Sequence, residues 1–144
     1  MLFFAHLPLD LGVISVFLCQ NDPGMWDDWD ATAGANRAFV FTGPLSAATV
    51  PAEGDTLLGA VTALRPHHPA DTPTAEPVLG RLGGEPGWLQ GDETPGCPSC
   101  STPMTFTAEL EEGPDFETSA NFGGASATSS TAAPVNGAAF LWQR

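Results

Sequence analysis

Short apolar runs separated by turn residues dominate the hydrophobic pattern of the first half of the chain. Leu2 to Leu7 and Val13 to Cys19 are apolar and partly β-branched, with a Pro, Asp and Gly cluster between them. A third run, Arg37 to Thr42, stops at Gly43-Pro44. Apolar runs of this length with turn residues at both ends predict β-strands. We therefore expect a strand, a turn and a second strand, followed by a loop and a third strand.

The second half of the chain predicts further strands. Met104 to Leu110 is expected to form one, and the apolar residues Ala138 to Gln143 are expected to close the core. The tail from Gly123 to Val135 is rich in small polar residues and is either a weak strand or disordered. The segment Ala52 to Leu64 has apolar residues near helical spacing and forms either a short helix or a strand. The predicted fold class is mostly β, with α+β as the alternative.

The length and the proline pattern predict how the chain is organised. A chain of 144 residues is one domain's worth of sequence. The proline-rich segment 65–77 is expected to be an extended connector. It separates a first unit, about residues 1–64, from a second unit, about residues 78–144.

An internal repeat relates the two units. Met1 to Leu7 and Met104 to Leu110 share the pattern M-x-F-x-A-x-L, and Asn36-Arg-Ala-Phe resembles Asn136-Gly-Ala-Ala-Phe at nearly the same spacing. Chance similarity is the alternative to duplication. Duplication predicts two similar strand-rich units that share one core around a pseudo-twofold axis. Since the second unit has ASATSST where the first has VISVFLC, we expect that strand to be an exposed edge.

The net charge of the chain disfavours some classes of binding partner. The chain has 17 acidic and 4 basic residues, for a formal net charge of -13. Such a chain repels phosphate, so nucleic acids and anionic membranes are improbable partners. A basic protein client or a cation is compatible with this charge, although solubility alone would also explain it.

The number of cysteines and the apolar start of the chain indicate the cellular compartment of the protein. The odd number of cysteines, 3, favours a reducing compartment, which predicts a cytoplasmic protein. The apolar start has no basic n-region and contains Pro8 and Asp10, so we interpret it as two strands and not as a signal peptide. The absence of lysine together with abundant Ala, Gly and Pro indicates a G+C-rich bacterial source.

Cys97-Pro-Ser-Cys100 has the spacing of half a zinc site. A structural zinc site needs four ligands, and Cys19, His6, His67 and His68 are the residues left to supply the others, with no second paired turn among them. A turn without metal is the favoured interpretation, and zinc bound by Cys97 and Cys100 is the alternative. A redox dithiol ranks below both because no βαβ pattern surrounds the motif.

Tryptophans supply the candidate binding residues. Trp26 and Trp29 lie in a polar, acidic loop that offers them little burial, so they are candidates for a protein-binding surface. Trp88 and Gln90 join them as candidates from the second unit. The loop carboxylates of this region lack the spacing of an EF-hand. We find no P-loop, Rossmann turn or nucleophile elbow, and so assign no catalytic residue.

Three segments of the chain resemble the YwqG-like family of unknown function. They are FFAHLPL through VFLCQNDPGMWDDW, then LGGEPGWLQ running into PGCPSCSTPMTFTAEL, and the closing AFLWQ. The family is similar to the C-terminal region of programmed-cell-death-protein-two-type proteins, which are implicated in chaperoning a ribosomal protein, and its bacterial members occur near toxin-immunity systems. The resemblance implies a protein-binding or chaperone-like role and supplies no catalytic residues.

Three functional hypotheses follow. The first is a protein-interaction module that uses an acidic face, with a strand edge, to hold a basic or extended client. The second is an immunity protein that masks a toxin. The third is a zinc-stabilised domain of unknown activity that depends on Cys97 and Cys100.

Overall fold

The computed structural model describes residues 2–10, 12–19, 27, 29–47, 49, 65–68, 70, 78–111, 126–132 and 137–143. Seven strands lie in these ranges, and their bounds are β1 Leu2–Leu9, β2 Gly12–Leu18, β3 Asn36–Phe41, β4 Gly80–Leu82, β5 Thr105–Glu111, β6 Ser126–Ala132 and β7 Gly137–Gln143. No α-helix occurs in these ranges, which confirms the mostly β prediction. The helix or strand expected within Ala52 to Leu64 and most of the connector lie outside the described residues.

The strands form one antiparallel sheet in the order β1-β2-β3-β7-β6-β5-β4. The first three strands form one meander, and β5, β6 and β7 form a second. The two meanders meet where β3 lies beside β7, with Ala38 opposite Ala138 and Phe39 opposite Gly137. Strand β4 extends the second meander by pairing with β5. Each unit therefore contributes about half of a single sheet.

The two meanders share an irregularity at matching positions. The register between β1 and β2 shifts between Phe3 and Ala5. The register between β5 and β6 shifts between Phe106 and Ala108, the corresponding positions of the M-x-F-x-A-x-L repeat. A shift of this kind is a β-bulge, which kinks one strand and increases its twist. The two units thus have the same strand order and corresponding bulges, while their origin by duplication stays a prediction.

One face of the sheet carries the apolar core. The buried core residues come from both units and are Leu7, Ile14, Val16, Ala108 and Phe140. Alternation along β2 places Ile14 and Val16 on this face, because successive side chains of a strand point to opposite sides. The rings of Phe4 and Phe140, with centroids 5.9 Å apart, join the two units within this core.

The opposite face of the first unit carries a row of aromatic rings. The Phe3 and Phe17 centroids lie 6.0 Å apart, and those of Phe17 and Phe39 lie 5.9 Å apart. These distances and edge-to-face geometries are those of favourable aromatic pairs. Phe39 and Phe41 remain exposed among the described residues.

The expectation that the ASATSST strand is an exposed edge is wrong. Strand β6, which contains this segment, pairs with β5 on one side and with β7 on the other. The edges of the described sheet are β1 and β4. The error has a physical reason: backbone hydrogen bonds to two neighbours hold a central strand in place even where its side chains are small and polar.

No helix among the described residues is long and apolar enough to cross a membrane.

Candidate protein-binding site

Gln143 fixes the loop between β4 and β5 to the end of β7. Its side chain is buried, and its Oε1 accepts hydrogen bonds from the backbone N–H groups of Leu89 at 2.7 Å and Gln90 at 3.1 Å. Its Nε2 donates to the carbonyl oxygen of Gly91 at 2.9 Å. The Gln143 side chain therefore supplies hydrogen-bond partners for three backbone groups of a loop segment that does not pair with a strand.

Glu109 anchors the beginning of the same loop. Its Oε2 accepts from Arg81 Nη2 at 2.7 Å and Nε at 3.1 Å, and from the backbone N–H of Gly87 at 3.1 Å. The Arg81 side chain is about half exposed while that of Glu109 is nearly buried, so the ion pair lies at the surface of the sheet. The guanidinium also lies 5.8 Å from the centroid of the Phe106 ring. Together these contacts place the loop over the face of the sheet opposite the core.

A turn that begins at Trp29 lies beside β7. The backbone N–H of Trp142 donates to the carbonyl oxygen of Trp29 at 3.1 Å. Buried Asn36 donates through Nδ2 to the carbonyl oxygen of Asp30 at 3.0 Å. This turn is thereby tied both to β7 and to the first residue of β3.

Asp30 orders this turn with its own side chain. Its Oδ1 accepts from the backbone N–H and the hydroxyl of Thr32, the latter at 2.7 Å, and from the backbone N–H of Ala33. The Thr32 N–H first and then its hydroxyl hold the pKa of Asp30 below its ordinary value. Asp30 is therefore a carboxylate at neutral pH.

Asp92 repeats this arrangement in the loop between β4 and β5. Its Oδ1 accepts from Thr94 Oγ1 at 2.6 Å and from Thr94 N at 2.9 Å. The Thr94 hydroxyl first and then its N–H lower the pKa of Asp92. The Asp92 turn fixes the position of Glu93 and leads into Pro95, and both residues lie opposite the Trp29 turn.

A cavity of about 200 Å³ lies between the two turns. It is lined by Trp29, Asp30, Ala31, Thr32, Glu93, Pro95 and Leu141. Leu141 is buried, whereas 43% of the Trp29 surface remains exposed. We call this cavity the Trp29 pocket. Its lining combines a partly exposed tryptophan with one acidic residue from each turn, a composition that attracts a cationic group.

Cys97 and Cys100 lie in a closed turn next to this pocket. Cys97 N donates to Thr102 O and Ser101 N donates to Cys97 O, both at 2.8 Å, and Ser101 has a φ of 59°. Cys97 is buried and Cys100 is exposed. The motif therefore forms a turn, as the sequence indicates. Among the described residues no three His, Cys, Asp or Glu side chains are grouped so that they could hold a metal ion.

The predicted binding residues lie at different positions relative to the Trp29 pocket. Trp29 lines the pocket. Trp88 is half-buried and Gln90 is exposed, and both belong to the loop that Gln143 holds, outside the pocket lining. Trp26 lies outside the described residues.

Sequence reasoning missed Glu93, Leu141 and Gln143. The signal that was available for the pocket is the repeated D-x-T motif, Asp30-Ala-Thr32 and Asp92-Glu-Thr94. Each is the pattern of a carboxylate that bonds to the backbone two residues later. No local signal marks Gln143, because its partners lie more than fifty residues away.

Comparisons with protein-family models, curated proteins and solved structures found no match to the chain.

Proposed function

We propose that this chain is a cytoplasmic protein-interaction domain that binds a basic segment of a protein client. The observation that carries the proposal is the Trp29 pocket, where an exposed indole lies with Asp30 and Glu93. The resemblance to the YwqG-like family supports the same class of function, since it implies a protein-binding or chaperone-like role.

The pocket suits a guanidinium or ammonium group. A cation over an indole ring gains about 0.5–1 kcal/mol at an exposed site and about 2 kcal/mol or more when water is excluded. Carboxylates on two sides add charge-assisted hydrogen bonds, which are about twice as strong as neutral ones. The pocket has about 200 Å³ of space and is partly open to solvent. It therefore has room for one planar side-chain group of the size of a guanidinium.

The net charge of the whole chain also favours binding of a basic client. A net charge of -13 produces an attractive field for a basic partner and increases the rate of encounter. Because exposed charges are screened over about 10 Å at 0.1 M salt, this part of the attraction weakens as salt is added. The pocket supplies the short-range contacts that determine where on the domain the client binds.

The proposal is tested with a short peptide that carries arginine and a matched peptide that carries citrulline, its neutral analogue. Binding is measured by calorimetry at low and moderate salt. We expect the arginine peptide to bind the wild-type domain at least about tenfold more tightly than the citrulline peptide, which corresponds to about 1.4 kcal/mol.

Three variants locate the interaction. Trp29→Ala and Glu93→Gln are expected to weaken binding of the arginine peptide by about tenfold each. Glu85→Gln is the matched control, because exposed Glu85 is not part of the pocket lining and its loss changes the net charge equally. Equal effects of Glu93→Gln and Glu85→Gln would mean that net charge alone attracts the peptide, and the proposed site would then be wrong.

A further inference from the structure

The Cys97-Cys100 turn provides the two parts of a thiol-disulfide exchange site, one exposed thiol and one buried thiol. Cys100 is open to solvent, whereas Cys97 is 3% exposed. An exposed thiol meets an incoming disulfide first, and a buried neighbour then acts as the resolving thiol.

Both cysteines belong to one closed turn of the backbone. The Ser101 N–H donates to the carbonyl oxygen of Cys97, which closes a turn that contains Pro98, Ser99 and Cys100. Two further contacts close the surrounding loop: Met104 N donates to Pro95 O at 2.8 Å, and Gly96 bridges to Pro103. A disulfide requires Cβ atoms about 3.5–4.5 Å apart, a separation that two cysteines three residues apart on one closed turn can reach.

Thr102 favours the reactive form of Cys100. The Cys100 thiol lies 3.4 Å from Thr102 Oγ1. The Thr102 hydroxyl, then the Thr102 N–H and then the Cys97 side chain lower the pKa of the Cys100 thiol. The thiolate is the nucleophile in exchange, so a larger thiolate fraction at neutral pH increases reactivity at this position.

We propose that Cys97 and Cys100 form a reversible intramolecular disulfide by exchange with a low-molecular-weight disulfide such as oxidised glutathione. The Cys100 thiolate attacks one sulfur of the small disulfide, forms a mixed disulfide and releases one thiolate, which takes a proton from water. Cys97 loses its proton to solvent and attacks the Cys100 sulfur, and the second small thiol leaves. The protein dithiol is oxidised to a disulfide, and the small disulfide is reduced to two thiols.

This site is a modification site and not a thioredoxin-type centre. The motif lies in a loop that leads into an antiparallel strand, and no βαβ unit surrounds it in the described part of the chain. The proposal also goes beyond client binding, because it concerns residues outside the lining of the Trp29 pocket.

The test incubates the full chain, as wild type and with Cys19→Ser, in mixtures of reduced and oxidised glutathione. The samples are acid-quenched and alkylated, and the peptide that contains residues 97–100 is identified by mass spectrometry. We expect this peptide to lose two hydrogens without retaining glutathione, and to recover both thiols when the reduced form is in excess. A wild-type peptide that keeps glutathione on Cys100, or that stays reduced throughout, overturns the proposal.

Single variants separate the roles of the two thiols. Cys97→Ser is expected to trap glutathione on Cys100, while Cys100→Ser is expected to react at Cys97 at least about tenfold more slowly, because that thiol is buried. Equal rates in the two variants would contradict the assignment. Circular dichroism of each variant shows whether it is folded, and because Cys100 is exposed, its variant remains informative if Cys97→Ser does not fold.

A third variant tests the electrostatic role of Thr102. Thr102→Val removes the hydroxyl but keeps the backbone N–H, so the apparent pKa of Cys100 should rise and its alkylation at neutral pH should slow. An unchanged pH profile would show that Thr102 does not activate the thiol. A different result is a protein isolated with bound zinc, in which Cys97 and Cys100 react only after a chelator is added. That result would show that the two thiols bind metal, and it would overturn the proposal.

Discussion

At the scale of single residues, Gln143 shows how one side chain connects distant parts of the chain. Its amide bonds to the backbone of Leu89, Gln90 and Gly91, as a neighbouring strand would do. The sequence predicts that Gln143 ends an apolar segment that closes the core, but it gives no indication of these partners. Alternation along a strand indicates which face a residue occupies, whereas the identity of a long-range hydrogen-bond partner depends on how the whole sheet assembles.

The contribution of this side chain is testable with Gln143→Met, which keeps the length and removes both polar atoms. Two backbone N–H groups and one carbonyl then lose their partner, so the free energy of unfolding should fall by about 1–3 kcal/mol. Chemical denaturation measures this change.

Amide hydrogen exchange provides the internal control for the same variant. Protection at Leu89 and Gln90 should be lost, while protection in the paired strands β2 and β3 should fall only as far as the global stability falls. Unchanged exchange at Leu89 and Gln90 in Gln143→Met would show that this amide does not hold the loop.

At the scale of elements, apolar runs identified four of the seven described strands and failed for the other three. These runs located β1, β2, β3 and β5 to within about two residues, because each contains apolar residues that must be buried. For the segment of β7 the sequence predicted only that it closes the core. Strand β4 was missed because it has only three residues, Gly80–Leu82, in a Gly-rich stretch. Strand β6 was expected to be weak and at an edge because its residues are small and polar, yet pairing on both sides places it inside the sheet.

The glycines at the starts of strands β2 and β4 lead to a prediction about the stability of the domain. Gly12 has a φ of +139° and Gly80 has a φ of +136°. A Cβ at Gly12 would lie 2.1 Å from Phe41 O, and one at Gly80 would lie 2.0 Å from Glu109 O, so the neighbouring backbone would have to move. Gly12→Ala and Gly80→Ala should each lower the free energy of unfolding by about 2–3 kcal/mol.

Gly43→Ala is the matched control for both variants. A Cβ at Gly43 meets nothing within 4 Å among the described residues, and the backbone there does not have a positive φ. Thermal or chemical unfolding should therefore find this variant close to the wild type. If Gly43→Ala destabilised the domain as much as Gly12→Ala, close approach between strands would not be the cause.

At the scale of the whole molecule, two meanders form one sheet whose two faces serve different purposes. One face carries a core to which both units contribute. The loop between β4 and β5 lies over the other face of the second unit, the Trp29 turn lies beside β7, and the Trp29 pocket lies between them. The sequence predicted the two-unit arrangement and an acidic binding surface with Trp29, but only the sheet order brings Trp29 beside Glu93.

The central claim is that a cationic side chain of a client enters the Trp29 pocket. The most direct measurement is a two-dimensional NMR titration of the domain with the arginine peptide, with the citrulline peptide as the reference. We expect the largest shifts at the Trp29 indole and at the backbone amides of Thr32 and Glu93, with far smaller shifts for citrulline. Shifts concentrated at the exposed rings of Phe39 and Phe41, or equal shifts with both peptides, would contradict the claim.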